Sequence, residues 1–260
     1  MNGTDVIVGI DGTAASDAAL RWAAAEAARE GARLRVVLAA PRAGEWATLT
    51  VAAAVHATRA ARPGLEVTGR TVVGDPADVL TCVAAGPALV VVGSHDRTAL
   101  AEALHGATGT RVAMRARGHV VVVRGRADAG TGPVAVGVDG SHTDNRLLST
   151  AFEHAARHRC EVVAVRAVPA PDPDRVTLLA ELTDDLERWH QKYPTVPAFA
   201  RTPAGDPASA LVDVSGEARL LVVGGRAHGP AAALLAGSVG QRLLYHSRCP
   251  LLFVHNGLRD

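Results

Sequence analysis

The stretch VIVGIDGT, Val6–Thr13, returns as VAVGVDGS, Val134–Ser141, and this recurrence restricts the fold more than any other feature. Asp11 and Asp139 stand 128 positions apart. Three further pairs stand 131 apart: GDPA at Gly74–Ala77 and Gly205–Ala208, Gly93 with Gly224, and Gly106 with Gly237. Four landmarks in one order, with a single three-residue slip, mark a tandem duplication. The join falls in the small, glycine-rich RADAGTGP, Arg126–Pro133, which gives a first domain over 1–127 and a second over 132–260.

Each half alternates short apolar runs with helical stretches. In the first, VIVGI, LRVVLAA (Leu34–Ala40), LEVTGRTVV (Leu65–Val73), ALVVVG (Ala88–Gly93) and HVVVVR (His119–Arg124) predict strands. Between them, Ala18, Leu20, Trp22, Ala23 and Ala27 predict one helix; Ala47–Ala61 and Ala77–Ala85 predict two more. The second half repeats the plan with VAVGV, EVVAVRAV (Glu161–Val168), a strand near Phe199–Thr202, LLVVG (Leu220–Gly224) and LLFVH (Leu251–His255). Leu178, Leu179, Leu182, Leu186 and Trp189 keep helical spacing. Continuously apolar strands between helices imply a parallel sheet covered on both faces. With right-handed crossovers the fold class is α/β, two tandem doubly wound domains. Ligands of such folds sit beyond the strands' carboxyl ends, where Asp11, Asp139, Gly93 and Gly224 fall.

Composition narrows the partners. The chain has 260 residues, is 48% hydrophobic and 20% charged, and carries a net charge of +1, which argues neither for nucleic acid nor for an anionic membrane. Cys82, Cys160 and Cys249 are odd in number, distant, and without a CxxC pattern, so reduced thiols in a cytoplasmic protein are expected. The first residues lack the basic and apolar regions of a signal peptide, and no apolar run approaches 18 residues.

The stretch VVGGRAHGPAAALLAGSVG, Val222–Gly240, ends a strand in paired glycines and reaches Gly237-Ser238 thirteen positions after the first of them. VVGSHDRTALAEALHGATG, Val91–Gly109, repeats that layout in altered form. A glycine turn followed by a helix start presents backbone N–H groups to an anion, which reads as a two-part phosphate cradle. An ordinary βα turn with a routine serine cap has the same local pattern. Asp11 and Asp139 likewise fit either a ligand contact or an Asp-Gly turn former.

These motifs, VGIDGT and VGVDGS, the two GDPA segments and the late glycine stretch, resemble the universal stress protein family in its two-domain form, over essentially the whole chain. In ATP-binding members the late motif is Gly, two residues, Gly, nine residues, then Gly and Ser or Thr. Gly224, Gly237 and Ser238 match it, whereas Ala227 stands at the second glycine; in the first half Gly93 and Gly106 match, with Asp96 and Ala107 as departures. The resemblance implies ATP or another adenine nucleotide, with or without magnesium. Asp139 then lies at the adenine and ribose, beside Gly137, and Ala167 lines the base. Gly224, Gly225, Arg226, Ala227, His228, Gly237, Ser238 and Val239 surround the phosphates and ribose. Gly9, Asp11, Ala39, Gly93 and Gly106 are the first-half counterparts. An Ala227 turn at positive φ costs about 1–2 kcal/mol, and a carboxylate at Asp96 repels a phosphate by about 1–4 kcal/mol. The second half is therefore expected to bind better. His228 either touches phosphate or faces solvent.

Other chemistries fit less well. Ala236-Gly237-Ser238-Val239-Gly240 resembles a nucleophile elbow, but only His246, His255 and Asp260 follow, in the wrong order. The single lysine, Lys192, lies in no Walker loop, and no GxGxxG opens either half. His154 and His158 share a helix face near Cys160, without a second ligand cluster, and read as a solvated helix end. No convincing general base emerges, so at most slow ATP hydrolysis is expected. The family resemblance further implies an intramolecular pseudo-dimer through HVVVVR and LLFVH, compatible with a homodimer, and a protein partner that senses the ligand. The competing reading is a nucleotide-independent protein–protein interaction module of the same fold.

Overall fold

The computed structural model describes residues 5–42, 44–83, 88–94, 108–116, 118–125, 131–168, 174–225 and 239–255. Contacts divide the chain into two units, the first running through Asp128 and taking His255, the second running from Ala129 to Val254.

In the first unit the described order is β1 (Val6–Gly9), α1 (Ala14–Glu30), β2 (Leu34–Ala40), α2 (Glu45–Ala61), β3 (Val67–Val73), α3 (Pro76–Val83), β4 (Leu89–Gly93), α4 (Thr108–Arg115) and β5 (Val120–Val123). The strands pair in parallel in the order β3-β2-β1-β4-β5. The second unit repeats this with β6 (Val134–Gly137), α5 (Asp144–His158), β7 (Val162–Val165), α6 (Arg175–Lys192), β8 (Ala198–Arg201), α7 (Pro207–Ser215), β9 (Leu220–Gly224), α8 (Val239–His246) and β10 (Leu251–Val254). Its order is β8-β7-β6-β9-β10, again parallel. Each unit is thus the doubly wound sheet that the apolar runs imply. The chain changes direction across the sheet between β1 and β4, and between β6 and β9, which opens a crevice at that edge.

Successive side chains of a strand point to opposite faces, so a strand buried at every position must be covered twice. All four valines of β5, and all four residues of β7, are buried. Valine suits these positions because its branched β-carbon packs on a pleated surface and its χ1 is already restricted. The helices start where polar side chains satisfy their first amides. The Thr13 hydroxyl accepts from Ser16 N at 3.3 Å, and the Asp206 carboxylate accepts from Ser209 N at 2.9 Å. Strand β7 stops at Val165 rather than running through Val168, which keeps only an isolated bridge to Ala204.

Helix α5 carries one of the second unit's fully buried rings. Phe152 is 0% exposed and stacks on Trp189 at 6.1 Å and Tyr193 at 5.8 Å, both of which α6 and its cap supply. On the same helix His154 is 5% exposed and stacks on His158 at 6.2 Å. The expected solvated histidine end is corrected here, because packing rather than helical spacing decides which side is covered. None of the three cysteines forms a disulfide, and no helix among the described residues is long and apolar enough to cross a membrane.

Truncating Phe152 to Ala removes a buried ring that its aromatic neighbours cannot replace. The loss expected on urea denaturation is about 3–5 kcal/mol. A loss within about 0.5 kcal/mol, as at an exposed site, would contradict the packing.

Candidate functional site

The turn after β6 is DGSHTD, Asp139–Asp144, and each of its residues has a local reason to be there. The Asp139 carboxylate accepts from Ser141 N at 3.0 Å, an Asx-type turn that redirects the chain off the strand. Gly140 has φ +84°, and a β-carbon there would stand 2.6 Å from the Arg166 guanidinium, which packs over the turn. Asp144, the first residue of α5, folds back on the same turn: its two oxygens accept from Gly140 N at 2.7 Å and Asp139 N at 3.3 Å. Burial pushes its carboxyl up to about 6, against the pull of those two amides; the Asp139 charge raises it further and Arg166 lowers it. Arg166 also reaches Glu181 at 3.3 Å, so its charge is shared between carboxylates.

These groups rim a cavity of about 170 Å³ at the switch point between β6 and β9. Leu147, Val165, Leu211 and Leu243 make its walls apolar, while Asp139, Asp144 and Arg166 are the charged members of its described lining. Of the residues expected at a site, Gly137, Asp139, Ala167, Gly224 and Val239 all come together here. Gly137 lets the Leu211 methyls approach to 3.0 Å of where its β-carbon would be. No described residue stands within 4 Å of that point at Gly224, which lines the cavity at the end of β9. Gly225 lies outside the lining; it is buried and donates its amide to Val254 O at 2.8 Å. Arg226, Ala227, His228, Gly237 and Ser238 lie outside the described residues, as do Asp96, Gly106 and Ala107.

The first unit has the same edge in a tighter form. Gly9, Asp11, Ala39 and Gly93 line a cavity of about 80 Å³ with Ser16 and Leu80. A β-carbon on Gly93 would lie 2.4 Å from Ala15 O, so the start of α1 sits against this strand end. The counterpart of Asp144, 128 positions earlier, is Ser16, whose hydroxyl turns back to donate to Thr13 O at 2.9 Å. The Asp11 carboxylate accepts from Thr13 N at 3.0 Å and from the Thr13 hydroxyl at 2.6 Å. The second pocket is thus the roomier and the more polar at its rim.

One further pair of features was overlooked in the sequence. Asp75 caps α3, accepting from Ala77 N and Asp78 N at 3.0 and 3.1 Å, and meets Arg111 of α4 at 3.0 Å. Asp206 caps α7 and meets Arg242 of α8, which also donates to the Ser209 hydroxyl at 2.9 Å. The aspartate of GDPA is therefore both a helix cap and an ion-pair partner in each repeat. Arg111 holds the Asp75 carboxyl below its usual range, with help from the Asp78 amide; the Ser209 amide and hydroxyl, then Arg242, do so for Asp206. Arg111 and Arg242 keep the 131-residue offset, a signal available from the sequence. In the second unit the pair ties together two helices, α7 and α8, whose residues Leu211, Val239, Gly240 and Leu243 all line the cavity.

Two parallel α/β units in tandem, with their singular residues at the carboxyl edge, define the adenine nucleotide alpha hydrolase-like fold. The Universal stress protein family profile matches residues 4–124 and again 131–255. Relatives include Universal stress protein Rv2005c of Mycobacterium tuberculosis, 31% identical over 95% of both chains, and Universal stress protein Rv2623 of the same organism, 30% identical over 97% of both. A universal stress protein from Archaeoglobus fulgidus superposes over 97% of both chains with a TM-score of 0.77 and 16% identity, a likeness of fold. The chain belongs to the universal stress protein family, as a tandem of two domains.

Two outcomes follow from the electrostatics. Carbon-detected NMR should find the Asp144 carboxyl titrating near 6. Because its pKa is raised on folding, its contribution to stability is greatest below the unfolded value of about 4 and is lost as pH climbs through 6. A carboxyl titrating with the exposed aspartates would contradict its burial. Asp206→Ala should cost about 1 kcal/mol by removing a cap, and Arg242→Ala less, because the pair is exposed. An Arg242→Ala loss exceeding that of Asp206→Ala would reverse this ranking.

Proposed function

We propose that the second domain binds ATP or a related adenine nucleotide as a regulatory ligand. The observation that carries the reading is the apolar cavity at the switch point, lined by Gly224 at the end of β9 and rimmed by Asp139. An apolar slot with few polar groups at its mouth suits a planar base. Its volume of about 170 Å³ is below the ~300 Å³ from which whole-ligand sites begin, so the base alone is its natural occupant. Asp139 and Asp144 offer acceptors there for amine or hydroxyl donors. In the family motif the phosphates follow the glycine stretch from Gly224 toward Ser238.

Within this scheme Leu211, Leu243 and Leu147 bind by excluding water from the base face, and the Asp206–Arg242 pair holds α7 and α8 at the spacing those side chains need. An occupied pocket stabilises the conformation that holds the ligand, and a protein partner can read that conformation. The first domain contributes little binding, since its cavity is about 80 Å³ and α1 closes on Gly93.

Calorimetry with ATP should give one strong site per chain, and ATP at a hundredfold over Kd should add about 2.7 kcal/mol of stability. Gly224→Leu should abolish binding with the fold retained, because Gly224 lines the cavity and no described residue stands within 4 Å of its β-carbon position. Two equal sites would refute the asymmetry. No binding by the parent protein would leave a nucleotide-independent interaction module.

A further inference from the structure

The two repeats differ most sharply at a position to which the family motifs assign no role. Ser16 and Asp144 occupy the same place, 128 residues apart, and both line their cavities. Ser16 is neutral and spends its hydroxyl on its own helix turn. Asp144 instead holds the Asp139 and Gly140 amides, one on each oxygen. A carboxylate offers about four acceptor positions, so the two amides leave about half of that capacity facing the cavity it lines.

We propose that Asp144 is a specificity-determining residue of the second pocket: with Asp139 it selects a ligand group that donates hydrogen bonds, the amine or hydroxyls of a nucleoside, and excludes phosphate from this corner. The inference rests on the nucleotide reading of this pocket. Three features carry it. The Asp139 and Gly140 amides are already taken by an internal carboxylate. The neighbouring charges give no net attraction for a phosphate: Asp139 stands on the same turn, and Arg166 is shared with Glu181. The cavity walls that α7, α8 and β9 supply are apolar or glycine among the described residues, through Leu211, Leu243 and Gly224. A half-buried carboxylate beside such walls gains from a hydrogen-bond donor that the ligand brings.

Proton linkage follows. A hydrogen-bonded ligand favours the ionised carboxylate, so binding lowers the raised pKa of Asp144 and releases a proton. Affinity then increases as pH climbs through 6, whereas a pocket that received phosphate at this corner would show affinity falling over the same interval. ATP is a poor probe because its own terminal phosphate titrates nearby; adenosine has no such group.

The test is calorimetry of the full chain with adenosine from about pH 5 to about pH 7.5, alongside sulfate, a tetrahedral anion whose charge is constant over that range. Adenosine affinity should rise about tenfold for each unit by which binding lowers the Asp144 pKa. Sulfate affinity should not rise. Asp144→Ser, which installs the first repeat's residue, should weaken adenosine and flatten its pH profile while circular dichroism stays unchanged. If that variant fails to fold, proton release by the parent protein, measured in buffers of different ionisation enthalpy, gives the same answer. Adenosine binding without pH dependence or proton release overturns the role of Asp144 and leaves the nucleotide site standing. Absence of binding by both adenosine and ATP overturns the site itself, and this proposal with it.

Discussion

A parallel sheet covered by helices on both faces has one edge where every strand ends and the chain turns out toward the next helix, and the candidate site of this protein lies there. The strands β1, β4, β5, β6, β7, β9 and β10 are apolar and buried on both sides, whereas β3 and β8 are partly exposed and carry polar residues. In the buried strands polar residues are tolerated only where the backbone turns out of the sheet. Gly137 with Asp139, Ala167 and Gly224 come from three stretches distant in sequence and meet because three strand ends, those of β6, β7 and β9, converge on one crevice. The hydrophobic demand of the core thereby determines where a ligand site can be.

Duplication supplies two such edges and divergence separates them through packing. In the first repeat the start of α1 lies against Gly93, leaving about 80 Å³; in the second, Gly224 lines a cavity of about 170 Å³ with no described residue at its β-carbon position. At the turn, Ser16 and Asp144 take the same place with different consequences, one neutral and self-satisfied, the other an internal anion on two amides. The Asp75–Arg111 and Asp206–Arg242 pairs are retained in both, which indicates that tying the third and fourth helices of each unit is a demand of the fold rather than of one pocket.

The order of strands and helices was legible because periodicity, glycine placement and the repeat all agreed, and the convergence of Asp139 and Gly224 followed from strand ends alone, whereas Ala167 rested on the family resemblance. Four things were hidden. Helical spacing puts His154 on a face but does not say that the face is covered. The cavity beside Asp144 depends on Leu211 and Leu243, which arrive from helices far along the chain. The double role of the GDPA aspartates needed the arginines at 111 and 242, whose shared offset is visible only once the repeat is used as a ruler. Arg166 was similarly obscured, being a charged residue directly after an apolar strand whose partner, Glu181, is fixed by helix α6.

The claim on which the rest depends is that the carboxyl-edge cavity of the second repeat receives the base of an adenine nucleotide. A crystal structure of the chain grown with ATP tests it most directly. The account predicts electron density for one adenine per chain, enclosed by Gly137, Asp139, Ala167 and Leu211, with its sugar leading toward Gly224. A base found in the first repeat instead, or at any surface outside that crevice, would contradict it.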